Sequence, residues 1–106
     1  MTGVIQEVGA EPHQHYMVYI DRVSPEPGMR VAKAEAARLR RWCKKNAPSL
    51  IHGHGIVATT RLPAPELFPD DARPGVHYYG APTIGQFWLL RVKEYMDAFN
   101  LVMWKG

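Results

Sequence analysis

Residues 29–45 constrain the fold most, because they form one helical run fenced by chain breaks at both ends. Ala32, Ala36, Leu39 and Cys43 recur at spacings of four, three and four, which places them on a single stripe of a helix. The alanines and long side chains of this run favour helix intrinsically, and Lys44 and Lys45 near its end suit the helix dipole. Ser24-Pro25-Glu26-Pro27-Gly28 precedes it, and two prolines cannot continue a hydrogen-bonded ladder. Pro48 marks the stop. A helix with one apolar stripe has to lay it on something, and strand-like segments lie on both sides.

Residues 15–23, His-Tyr-Met-Val-Tyr-Ile-Asp-Arg-Val, are rich in β-branched and aromatic residues and largely apolar on both faces, as in an interior strand. Residues 56–62 read as a second strand, and 76–79 as a short one closed by Gly80. Residues 4–8 supply a further short strand. Thr83-Ile84-Gly85-Gln86 has the form of a capping box, which predicts a helix running to Phe99 with Ile84, Trp88, Val92, Tyr95 and Phe99 as its apolar stripe. Residues 101–104 then read as a last strand. Leaving the first strand aside, the predicted order is βαββαβ, that of the ferredoxin-like sandwich. The expected class is α+β: a small single domain over residues 1–106, with two helices on one face of an antiparallel sheet. Such a fold hosts many unrelated functions and names none of them.

A chain of 106 residues has room for one core, and 46% hydrophobic with 22% charged residues is ordinary for an ordered globular protein. The single cysteine, Cys43, has no internal disulfide partner and reads as a buried thiol. Residues 1–9 show no basic start and no apolar stretch of the signal-peptide kind. The longest apolar runs fall well short of a membrane span. A reducing cytoplasmic setting without membrane contact is the expectation.

The net charge of +3 is unevenly laid out. Arg30, Lys33, Arg38, Arg40, Arg41, Lys44 and Lys45 face one acid in their segment, Glu35, and the remainder of the chain is net negative. Basicity therefore belongs to one helix, which is where an anionic partner would bind. On a helical wheel Arg30, Lys33, Arg40, Arg41 and Lys44 share an arc away from the apolar stripe.

Histidines provide the other candidate chemistry. His52-Gly53-His54 and the pair His13 and His15 lie in extended segments, where alternate residues point to one face. Neutral imidazole is a common metal ligand, so His52, His54 and His77 are the candidate ligands of a divalent metal. Glu66, Asp70 and Asp71 are available to complete such a set. The pair resembles the metal-binding strand of rolling-circle nucleases, in which a helical tyrosine, here Tyr95, would be the nucleophile. Two features depart from that pattern: Gly53 replaces a bulky apolar residue, and Tyr95 falls on an apolar stripe.

Tyr78 and Tyr79, beside the proline-rich run of residues 63–71, form a candidate protein-contact surface, since tyrosine and arginine concentrate binding energy at interfaces. The chain contains no Gly-x-Gly-x-x-Gly, phosphate-binding loop or nucleophile elbow. The leading expectation is a non-enzymatic interaction module, an inhibitor, adaptor or assembly subunit. It would bind a protein or nucleoprotein partner through Arg30, Lys33, Arg40, Arg41, Lys44, Tyr78 and Tyr79. Two alternatives stand beside it: a metal-dependent phosphodiesterase using His52 and His54, and nucleic-acid binding without catalysis. No cofactor other than that metal is implied, and a homo-oligomer is compatible with the sequence.

Overall fold

The computed structural model describes residues 3–22, 29–51, 53, 55–59, 76–79 and 87–104, with backbone alone for 29–31 and 77–79. Among the described residues seven elements follow one another. They are β1 (Gly3–Val8), β2 (His15–Asp21), α1 (Met29–Asn46), β3 (Val57–Thr59), β4 (Val76–Tyr79), β5 (Phe87–Val92) and α2 (Tyr95–Val102). All strand pairings are antiparallel, in the order β3-β5-β2-β1-β4. The class is α+β, an antiparallel sheet with two helices, as the sequence led one to expect.

Alternation along the strands defines two sheet faces. Ile5 of β1, Val18 and Ile20 of β2, and Trp88, Leu90 and Val92 of β5 form one buried cluster with Leu39 and Cys43 of α1. Ala98, Leu101 and Val102 of α2 join the same cluster, so both helices lie on one face. Val4, Tyr19 and Val76 form a smaller cluster on the other face, flanked by Met17 and Leu89. Gly3 leaves room on β1 for Val102 of α2. A Cβ there would come within 2.8 Å of the Tyr19 carbonyl oxygen and 3.2 Å of a Val102 methyl.

The segment after β4 corrects the sequence reading. Residues 87–92, expected to be helical, form a strand in the middle of the sheet, paired with β2 on one side and β3 on the other. Helix begins only at Tyr95, and residues 101 and 102, expected to open a last strand, are its final turn. Among the described residues the order is thus ββαβββα, which differs from the expected βαββαβ in the place of the second helix. The physical reason is that Trp88, Leu90 and Val92 are buried on one face of the sheet and Phe87 is buried on the other. A helix could have covered only one stripe of them. The capping-box residues 83–86 lie outside the described residues, as do 60–62 of the expected second strand and the proline-rich run.

Helix α2 has no side-chain cap of its own at Glu94. Its start is set from the loop after α1. The Ser49 hydroxyl accepts from the backbone N–H of Lys93 at 3.2 Å and of Glu94 at 3.1 Å. In return, the Asp97 carboxylate accepts from the Ser49 N–H at 2.9 Å. Asn100 closes the other side, its amide donating to the Asn46 carbonyl at the end of α1 at 2.9 Å. These bonds satisfy orphan groups at one terminus of each helix and lock the two together.

Candidate interaction surface

Helix α1 presents two chemically opposite sides. Leu39 and Cys43 are buried against the sheet, with Ala32 and Ala36 packed beside them, as the stripe predicted. Glu35 is buried as well, at 0% exposure, and its carboxylate accepts the indole N–H of Trp88. The guanidinium of Arg22 lies 5.2 Å from the centre of the same indole ring. The sole acid of the segment is therefore turned into the protein. Lys33, Arg38, Arg40, Arg41, Lys44 and Lys45 are all exposed, with only the small Ala34 and Ala37 interspersed. Among the described residues none of these six cations has an ion partner. The outward side of the helix is cationic.

Four of the five arc residues named from sequence, Lys33, Arg40, Arg41 and Lys44, are brought together on this exposed side. The backbone of Arg30 lies in the first turn of α1. The involvement of Glu35 and Arg22 was not foreseen, although Glu35, Leu39 and Cys43 stand four residues apart and so share a stripe. A depression of about 180 Å³ opens at the C-terminal end of the same helix, lined by Arg40, Cys43, Lys44, Ala47, Pro48 and Leu50. Burial pushes the Cys43 thiol up to about 11, with the Asp97 carboxylate adding to the rise and Arg40 opposing it. It stays protonated and unreactive at neutral pH.

The histidine readings fare differently. His52 and His54 lie outside the described residues; of their neighbours, Gly53 is exposed and Gly55 adopts φ 67°. His77 pairs with Ile5 in the register of β4 on β1, Tyr78 with Val4 and Tyr79 with Gly3, and the side chains of all three lie outside the description. No cluster of three metal-ligating side chains occurs among the described residues. His15 is engaged elsewhere. Its Nε2 stands 3.0 Å from the Arg91 guanidinium, which can only donate, so this nitrogen is the acceptor. Its Nδ1 then carries the proton and donates to the His13 carbonyl at 3.0 Å. Tyr95 is half-buried, its ring set edge-on to Tyr16 at 5.6 Å between centroids.

On the opposite sheet face, burial raises the Tyr19 phenol above its ordinary range, with Arg91 opposing. Burial likewise raises the Asp21 carboxyl. No helix among the described residues is long and apolar enough to cross a membrane. No protein family, curated protein sequence or solved structure matches this chain. The fold and the charge layout are accordingly what any functional reading has to stand on.

Proposed function

We propose that this protein is a small non-enzymatic interaction module of the cytoplasm that docks α1 onto an acidic surface of a protein or nucleoprotein partner. The observation that carries the reading is the sorting of charge on that helix. Glu35 is buried and six cations are exposed, so the outward face offers positive charge along about 18 Å of helix, from Lys33 to Lys45. Side chains of this kind steer an oppositely charged partner and fix its orientation, and their effect weakens with salt. Arginine adds planar, two-pronged pairing with carboxylates or phosphates, which a bare point charge lacks. Tyr78, Tyr79 and the proline-rich run of residues 63–71 would extend the contact. A single buried thiol suits a reducing compartment.

The test is site-specific photo-crosslinking in the cells that make the protein. A photoreactive residue replaces Ala37, exposed among the cations, or, as a control, Glu7, exposed on β1. The expected result is a discrete adduct from position 37, absent from position 7 and lost when Arg40 and Arg41 are both changed to glutamate. An adduct that survives this charge reversal would falsify the role given to the helix.

A further inference from the structure

We infer that the depression at the C-terminal end of α1 is the specificity pocket of this surface, and that it takes one aliphatic side chain from an acidic segment of a partner protein. The inference rests on the binding reading above and names the chemistry recognised there. The floor is apolar and firmly packed: Cys43 is 1% exposed, Ala47 0% and Leu50 8%. Around it stand Arg40, Lys44 and Pro48, all exposed.

Size decides between classes of occupant. Pockets that hold cofactors or drug-sized ligands run to about 300–1,000 Å³. At about 180 Å³ this one suits a single side chain, the kind of anchor around which interfaces concentrate their energy. The surroundings decide between macromolecules. Among the described residues no aromatic lines the cavity, and they offer no platform on which a nucleobase would stack. An aliphatic group on the floor with carboxylates on either side satisfies both the apolar base and the two cations. Residues 40 and 44 stand one turn apart on the helix, so they can bracket the anchor. The neutral thiol of Cys43 leaves the floor uncharged.

The test uses the full-length protein and three labelled probes at one ionic strength, read by fluorescence anisotropy. They are a glutamate dodecapeptide with a central leucine, the same peptide with a central serine, and a 12-base-pair DNA duplex. The leucine peptide is expected to bind roughly tenfold more tightly than the serine peptide, as burial of one aliphatic side chain implies. Ala47→Ile, which adds carbons to the floor, should erase that advantage and leave the serine peptide unaffected. The comparison between peptides stands without the variant, should the variant not fold. Equal binding of the two peptides overturns the pocket while sparing the cationic face. Binding of DNA with neither peptide bound overturns the protein occupant, and failure of all three probes overturns the cationic face as well.

Discussion

Trp88 and Cys43 show how single side chains hold this domain in one arrangement. The indole N–H of Trp88 donates to the Glu35 carboxylate at the centre of the helix–sheet junction. Removing a donor from a buried acceptor costs about 1–3 kcal/mol, and trimming the ring adds a packing loss. Trp88→Phe should therefore lower the stability measured by urea unfolding by about 2 kcal/mol or more. A loss under about 0.5 kcal/mol, the range of ordinary surface changes, would remove Glu35 from this role. Cys43 contributes a pH dependence. Its thiol rises from an ordinary 9.0 to about 11 in the folded protein, so the folded state keeps its proton longer than the unfolded chain does. The resulting stability is fully present below about pH 9 and declines as pH climbs toward 11, by up to about 1.4 kcal/mol per pH unit. Cys43→Ala lacks this slope. The stability gap between wild type and variant should narrow above pH 9, and a gap constant to pH 11 would contradict the buried thiol.

At the scale of elements, α2 owes its position to Ser49, a residue 44 positions before its nearest bonded partner, Lys93. Ser49→Ala removes both hydroxyl bonds to the start of that helix, a change worth about 1–2 kcal/mol, as with other lost caps. The expected readout is faster amide hydrogen exchange in residues 94–98, with α1 unaffected; unchanged exchange would show that the cap is dispensable. The same arrangement explains which elements the sequence disclosed. Helix α1 carries its own stripe and stops, β2 its own β-branched run, and β4 its own boundaries. The start of α2 is invisible locally because its cap comes from a distant loop. Strand β5 misleads for another reason. Trp88 and Val92 lie four apart, a spacing that fits one helical stripe and also one face of a strand. Only the burial of Leu90 between them and of Phe87 beside them separates the two, and that depends on partners on both sides.

For the whole molecule, the sheet order places β5 between β3 and β2, and β1 between β2 and β4. Pairings across such sequence separations are not encoded in any local window, so the class was legible while the order was not. The interaction surface was legible to the same degree. The cationic arc could be read from spacing alone, whereas the inward turn of Glu35 shows only with the sheet and Trp88 beside it, and the pocket only with the loop that carries Ala47 and Leu50. Both emerge once α1 is laid on the sheet. The central claim is that the outward side of α1 is the binding face, and amide chemical-shift mapping with poly-glutamate tests it most directly. Titrated into the ¹⁵N-labelled protein at low salt, the polymer should shift amides of residues 33–45, an effect lost in the Arg40→Glu, Arg41→Glu double variant and suppressed by added salt. Shifts centred instead on the opposite sheet face, at His15, Met17 and Arg91, or no shifts at all, would contradict it.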